Sequence, residues 1–288
     1  MMLRILPLLM LPLVGFAQTN SKVEMPIGAT TTSEKQPLEI KRNATYNLEE
    51  IKVRWKKAAL ENCTGVPCVV EPPAPSFTCG TSTISDIDGN SYPTVLIGTQ
   101  CWTQRNLKVT KYNDGTAIPL DASGGINGNG VGQTWSARIT GAYTIYGNTS
   151  SNATTYGFLY NWYAASDAKK ICPSGWHVPS KDEWDALARE LGGQSVAGAK
   201  MKSQDLTLWT PGTTGNNSSG FTVLPGGLRY DYGTFGDINS QAKFWSTSAD
   251  PASPPGNSWS RNLFSNADFL GIGAYQNGYG FSVRCLKD

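Results

Sequence analysis

The chain of 288 residues contains a single histidine, His177, and only 16% of its residues are charged. One histidine leaves little of the usual acid–base or metal-binding chemistry, and no G-x-S-x-G, H-E-x-x-H or phosphate-loop pattern restores it. No C-x-x-C pair occurs, so a cysteine-ligated zinc has no spacing to build on. A basic surplus is also missing. The formal net charge is +2, and six basic residues (Lys41, Arg42, Lys52, Arg54, Lys56, Lys57) share one short stretch with Glu49, Glu50 and Glu61. The rest of the chain is close to neutral and cannot displace counterions from phosphates, which excludes a nucleic-acid partner. Beyond the first residues no apolar run approaches the roughly 20 residues that cross a bilayer.

Glycine and aromatic side chains are abundant instead: 31 Gly, 9 Trp, 12 Tyr and 9 Phe. That apolar mass excludes wholesale disorder, and with so little charge it describes a loop-rich exported protein. The start of the chain agrees. Met1-Met2-Leu3-Arg4 precedes an apolar run from Ile5 to Phe16, and Gly15-Phe16-Ala17 places small residues where a signal peptidase reads them. Residues 1–17 are therefore expected to be a signal peptide whose removal leaves Gln18, not the cysteine that lipid attachment needs. The run is too short for a transmembrane anchor.

An exported chain meets an oxidising compartment, so its cysteines read as disulfides. The six are Cys63, Cys68, Cys79, Cys101, Cys172 and Cys285. Spacing favours Cys63 with Cys68 across a Thr-Gly-Val-Pro turn and Cys79 with Cys101. Cys172 then remains for Cys285, tying mid-chain to the end.

Residues 18–78 read as a leader. A Ser/Thr/Pro-rich stretch to about 45 precedes an N-x-x-E helix start at Asn47 and Glu50. Leu48, Ile51, Trp55 and Ala59 form the apolar stripe of an amphipathic helix over about 47–61. Its basic face could suit a membrane surface, but packing on its own domain or on a second copy is favoured, since such helices rarely stand alone in water. Glu71-Pro72-Pro73-Ala74-Pro75 is a stiff linker, and residues 79–288 form the domain. There, short strand-like runs at Tyr92–Ile97, Phe221–Leu224, Lys243–Ser246 and Phe281–Leu286 alternate with Gly/Asn/Asp turns. Ser180-Lys181-Asp182-Glu183 is a capping box for a helix with apolar Trp184, Leu187, Ala188 and Leu191, stopped by Gly192-Gly193. A second helix is expected over Tyr160–Ala165. The pattern predicts an α+β domain.

Asp86-Ile87-Asp88-Gly89-Asn90 could open a calcium loop, but Ile97 stands where an EF-hand needs glutamate, so a strand-connecting turn is preferred. His177, between Trp176 and Val178 at a helix start, is expected to be a buried, hydrogen-bonded structural residue. Asp182, Glu183 and Asp185 complement a helix dipole. No metal or cofactor is expected. The richest stretch is Trp209 to Tyr279, where aromatics alternate with Gly, Ser, Asn and Asp, the composition of a recognition surface able to stack on sugar rings. Trp245 is assigned to the core. Trp259, Phe269 and Tyr275, in polar loop-like contexts, are the expected ligand contacts, with Asn266, Asp268 and Tyr232.

Several motifs in order resemble the Fibrobacter succinogenes major paralogous domain: Asp86-Ile-Asp-Gly-Asn-Ser-Tyr92, Thr94-Val-Leu-Ile-Gly-Thr-Gln-Cys-Trp102 with Asn106-Leu107, Tyr156 to Ala165, Cys172-Pro-Ser-Gly-Trp-His-Val-Pro-Ser180 with Glu183-Trp184, Gly226-Gly227, Phe244-Trp245-Ser246 and Ser282-Val283-Arg284-Cys285. The resemblance spans about 79–288. It implies a secreted or surface domain of Bacteroidetes-type bacteria with a fold similar to C-type lectins and the formylglycine-generating group, and a disulfide from mid-domain to the last strand, in agreement with Cys172–Cys285. No activity is firmly attached to the family; adhesion and ligand binding are the usual suggestions. The Glu-Pro-Asn and Gln-Pro-Asp calcium–sugar motifs are absent, as is the close cysteine pair of the formylglycine-generating catalysts. Some relatives of this fold are diversified by retroelements near the C-terminus, and the composition between Trp245 and Cys285 fits such a display surface. The expected function is a non-enzymatic exported or cell-surface module binding a glycan or protein ligand. The alternative is a structural subunit of a surface appendage, self-associating through the N-terminal helix.

Overall fold

The computed structural model describes residues 76–123, 133–205, 207–209, 215–253 and 256–288. The expected signal peptide, the helix at 47–61, the Pro-rich linker and the Cys63–Cys68 pair lie outside them. In chain order the elements are β1 (Thr83–Ser85), β2 (Ser91–Ile97), β3 (Gln100–Thr103), α1 (Gln133–Ser136), β4 (Tyr143–Thr144), α2 (Ser150–Tyr156), β5 (Leu159–Tyr160), α3 (Trp162–Ala165), β6 (Trp176–His177), α4 (Lys181–Glu190) and α5 (Gln194–Met201). β7 (Gly226–Arg229), β8 (Phe235–Ile238), β9 (Gln241–Ala249), β10 (Asn257–Phe264), β11 (Gly271–Gln276) and β12 (Leu286–Lys287) complete the chain. This is an α+β arrangement with two five-stranded sheets, ordered β1-β2-β3-β12-β6 and β11-β10-β9-β7-β8, and a small β4-β5 pair. Within them only β7 and β9 run parallel.

Turn chemistry explains the first hairpin. The Asp86 carboxylate accepts from the backbone N–H groups of Asp88 (3.0 Å) and Asn90 (2.9 Å), the Asn90 amide (2.9 Å) and the Tyr92 hydroxyl (2.6 Å). Gly89 takes the left-handed conformation that such a turn requires, at φ +82°. Asp88 accepts from the Thr110 backbone and hydroxyl and pairs with Lys111 at 3.3 Å. Both carboxylates are thus committed to the turn. α4 starts at the expected capping box, with Ser180 N–H donating to Glu183 Oε2 at 2.7 Å and Glu183 N–H to Ser180 Oγ at 3.3 Å. Its buried Trp184 stacks on Trp102 (4.8 Å between ring centroids) and Phe244 (5.6 Å), so the helix seals one core between the sheets. A second core gathers Tyr160, Trp176, Trp245, Phe281 and Val283.

Two expected strands are corrected. Phe221–Leu224 is irregular chain with a single β-bridge, from Val223 to Lys202, and with Thr222 left-handed at φ +56°. Phe281–Leu286 is no single strand either: Phe281 bridges Tyr160, Ser282 bridges Phe244, and Leu286 alone begins β12. The helix expected over 160–165 shortens to α3, because Tyr160 pairs with Tyr143 in the β4-β5 ladder.

That final segment fastens the fold. Cys285 is bonded to Cys172 and Cys79 to Cys101, as spacing favoured. Arg284 is fully buried without a carboxylate. Its guanidinium donates to Asn106 Oδ1 (2.7 Å), the carbonyls of Thr103 (2.7 Å), Phe221 (2.9 Å) and Thr222 (3.0 Å), and lies 4.8 Å from the Phe221 ring centroid. Burial pushes its pKa down to about 9, so it still enters the core as a cation at neutral pH.

Arg284→Met should cost about 3 kcal/mol or more, since four acceptors lose a charged donor, and Arg284→Lys should rescue little because an ammonium cannot reproduce the planar fork. Urea unfolding checks both. Opening Cys172–Cys285, which closes a separation of 113 residues, should cost up to about 5 kcal/mol by the loop-closure argument. A pH dependence follows from Asp121. Burial alone would push its carboxyl up, but Ser123, Arg138 (2.6 Å) and Arg229 (3.4 Å) outweigh it and hold it below the usual carboxylate range. Its stabilisation is complete above the unfolded value of about 4 and is lost as pH falls through the lower folded value. Asp121→Asn should therefore destabilise at pH 7 and flatten the acid limb of a stability–pH profile.

Candidate functional site

Alternation along paired strands decides what each face of the C-terminal sheet presents. Ser258, Ser260 and Asn262 of β10 lie opposite Tyr275, Gly273 and Gly271 of β11, and Asn262 lies opposite Lys243 of β9. These side chains share one face, with Phe264 at the end of the β10 row. Lys243 is 5% exposed, and its ammonium donates to the Tyr275 hydroxyl at 2.8 Å. It also sits 4.5 Å from the Tyr275 ring centroid, 5.7 Å from that of Phe264 and 5.9 Å from that of Phe281. Three aromatic faces thus solvate a buried cation. The rings are held in turn.

Ring contacts run outward from this cage. Tyr275 meets Tyr279 edge-on at 5.3 Å, Tyr279 meets Tyr230 at 6.0 Å, and Tyr230 stacks on the half-exposed Tyr232 at 5.0 Å and 8°. Burial holds the Tyr230 and Tyr279 phenols above their ordinary value, assisted by Asp237 and Asp231 respectively, so they present neutral hydroxyls. At the other end Phe264 packs on the exposed Phe269 at 5.5 Å. Tyr232, Tyr275 and Phe269, three of the expected contacts, therefore belong to a succession of rings made of two touching runs that meet at Lys243.

Asn266, Asp268 and Phe269 occupy the loop between β10 and β11, and all three are exposed. The loop is pinned from below. Lys202, fully buried at the end of α5, donates its ammonium to the carbonyls of Phe264 (3.1 Å), Ser265 (3.5 Å) and Ala267 (2.7 Å). Burial pushes this ammonium below its usual value, with Asp268 opposing. Ala199 N–H donates to Asp268 O at 3.0 Å and Leu270 N–H to Gln194 O at 2.7 Å. Gly198 makes the approach possible, because a Cβ there would lie 2.4 Å from Phe269 O.

Trp259 stands apart. It pairs with Ala274 and so projects from the opposite face, where the Lys181 ammonium lies 5.9 Å from its ring centroid. Next to it on that face, Arg261 pairs with Asp185 of α4 at 2.5 Å. Trp259 and Tyr275 therefore do not converge on one ligand. Lys243 and Lys202 escaped the sequence reading; the only signal was a lysine inside an aromatic strand and another at the end of a short, weakly patterned helix.

His177 is hydrogen-bonded as expected but not buried: its side chain is 30% exposed. Nε2 lies 2.9 Å from Glu183 Oε1 and Nδ1 2.6 Å from Asp288 Oδ1, so both ring nitrogens are occupied by carboxylates. Burial would raise the Glu183 carboxyl, but Ser180 and His177 hold it below the usual range. A pocket of about 280 Å³ beside His177 is lined by Asp167, Lys170, Cys172 and Thr247, and another of about 330 Å³ by Asp88, Asn90, Lys108, Thr154 and Phe158. Neither includes a residue of the aromatic succession. Among the described residues no group of three His, Cys, Asp or Glu side chains is placed to hold a metal ion.

Replacing Lys202 by Met should free the 265–270 loop and cost about 2–3 kcal/mol through three abandoned carbonyls. Hydrogen exchange of Ala199 and Leu270, both donors across that contact, should quicken far more than exchange in β2.

Compared with known proteins, residues 95–287 match the family model of the Fibrobacter succinogenes major domain. No curated protein and no solved structure matches the chain.

Proposed function

The chain belongs to the Fibrobacter succinogenes major domain family, and we propose that it is an exported or cell-surface binding module that recognises a glycan or protein ligand through the C-terminal aromatic loops. One observation carries the reading: two runs of touching rings, Tyr232-Tyr230-Tyr279-Tyr275 and Phe264-Phe269, each ending in an exposed aromatic and joined through the Lys243 ammonium that lies over Tyr275 and Phe264. Rigid rings lose little freedom on binding, and the pinned Asn266 and Asp268 put adaptable polar groups beside Phe269. Flat rings with neighbouring amides and carboxylates suit the C–H faces and hydroxyls of a sugar, or an aromatic-rich protein surface.

Two disulfides fit an oxidising compartment, and no helix among the described residues is long and apolar enough to cross a membrane. Both agree with a mature protein released by signal-peptide cleavage near Ala17. The C-type-lectin-like architecture belongs to the same reading. Its support is the short-stranded α+β layout and the disulfide from mid-domain to the terminal segment. A non-catalytic role accords with the sole histidine, which is held by two carboxylates.

The test uses Tyr232 and Phe269, whose exposed side chains can be removed without opening the core. On an array of glycans and cell-surface proteins, Tyr232→Ala with Phe269→Ala should lower capture at least about tenfold, a hot-spot loss of 1.4 kcal/mol or more. Trp259→Ala, on the other face, should bind as the parent does. Undiminished capture by the double variant, or loss confined to Trp259→Ala, overturns the assignment.

A further inference from the structure

Among the described residues β11 is the outermost strand of its sheet, with β10 on one side and no strand on the other. Exposed edges are usually blunted by charge, proline, brevity or irregular backbone, because unpaired N–H and C=O groups invite another strand. The other sheet edges follow that practice. β1 has three residues and β6 two, while β8 carries Asp237 in a left-handed conformation at φ +62°. β11 has none of these devices: Gly271-Ile-Gly-Ala-Tyr-Gln276 is six residues long, uncharged and free of proline, and pairs with β10 without a register shift.

Its free groups can be identified. Leu270 N–H points away from β10, to Gln194 O, whereas Asn277 N–H points back to Gly256 O on the β10 side. Along an antiparallel ladder these directions alternate, so residues 271, 273 and 275 address β10, and 272, 274 and 276 address the open edge. Gln276 O already accepts from Tyr279 N–H at 3.0 Å. Among the described residues nothing claims either backbone group of Ile272 or Ala274.

We propose that this edge is a self-association surface, on which β11 of a second copy pairs antiparallel about a two-fold axis at Gly273. An isologous contact of this kind must place residues of the same sheet face opposite each other, so only registers centred on a residue are allowed. Centring on Ala274 would ask Gln276 O for a second hydrogen bond. Centring on Gly273 uses the four free groups of each copy's Ile272 and Ala274, in four backbone hydrogen bonds. The side chains suit that register. Ile272, 39% exposed, meets the partner's small Ala274, and Gly273 meets its own copy at the axis, where no side chain of either strand intervenes. No charge faces a like charge within the strand pair. The contact ends at Leu270, whose N–H is already taken by α5, so the association is short and concentration-dependent. Two sheets then continue into one of ten strands with both aromatic successions on the same face. The consequence that the pair is bivalent rests on the binding reading above; the pairing does not.

Sedimentation velocity of the full chain over rising concentration tests this, together with hydrogen exchange of β11. The parent should pass from monomer to dimer, with slowing exchange at Ile272 and Ala274. Ala274→Pro removes only an outward donor, which an edge strand tolerates. It should weaken association at least about tenfold, since two of the four bonds vanish by symmetry. Ile272→Lys, at an exposed position, should do the same and serves alone should the proline variant not fold. A parent that stays monomeric at every concentration, or a dimer indifferent to both changes, overturns the proposal. Glycan or protein capture by monomeric Ile272→Lys reports on the binding reading separately.

Discussion

Arg284 is a full positive charge in the middle of the domain with only neutral acceptors around it. Leaving water costs such a group several kcal/mol, and the cost is offset by four carbonyl oxygens that must all stand in place at once and by the Phe221 ring. Those acceptors belong to the end of β3, the chain at Asn106 and the irregular segment at 221–222. Around them the neighbouring backbone does the same joining: Leu107 N–H donates to Val283 O, Cys285 N–H to Thr103 Oγ1, and Ser282 N–H to Lys243 O. Residues 281–285 are consequently not a strand of either sheet but the piece that both sheets close upon before β12 joins the first of them, and the Cys172–Cys285 bond makes that closure covalent.

Other cations in the domain work alike. Lys202, Arg229, Lys243 and Arg261 are each at most 5% exposed. Arg229 lies between the Trp135 ring (4.3 Å) and the Phe235 ring (5.1 Å) while donating to Asp121, Ser123 and Gly233. A chain poor in charge thus places part of its positive charge inside, where long side chains gather carbonyls and rings from segments that have little regular structure of their own. The low charge of the surface and the order of the long loops have a common origin. At the aromatic face this matters most, because Lys243 orients the rings and Lys202 immobilises the loop that carries Phe269.

Local chemistry was legible in the sequence wherever a short pattern has a local cause. The Ser180–Glu183 box, the Asp86 turn and the Cys79–Cys101 disulfide all depend on few neighbours or on spacing, whereas Cys172–Cys285 followed only as the remaining pair and from the family resemblance. Phe221–Leu224 shows the limit. Its aromatic and β-branched content signals burial, which the structure provides, but burial was met by Arg284 and the α4 core and not by a ladder. Phe281–Leu286 misled for a related reason, since its residues pair in succession with Tyr160, with Phe244 and then with Trp102 and His177. Lys243 and Lys202 had only a faint local signature, because a cation enclosed by rings or carbonyls is defined by residues dozens of positions away.

The division between Trp259 and Tyr275 depends on register alone. Both positions are odd-numbered and both sit among small polar residues, so composition treats them as equals. Yet Ser258 is opposite Tyr275 and Trp259 is opposite Ala274, which means that residues of like parity on the two strands project to opposite sides. A shift by one residue would have joined them and buried the Lys243 cage against α4. The register is held by what each face needs: Arg261 must reach Asp185 of α4 and Leu263 the core beneath it, whereas Gly271 and Gly273 must lie under the rings of Phe269 and Tyr275, where a Cβ would come within 3.2 Å and 2.6 Å of them. One face of the sheet is thereby fixed to the helices, and the aromatic surface is the face left over by that demand.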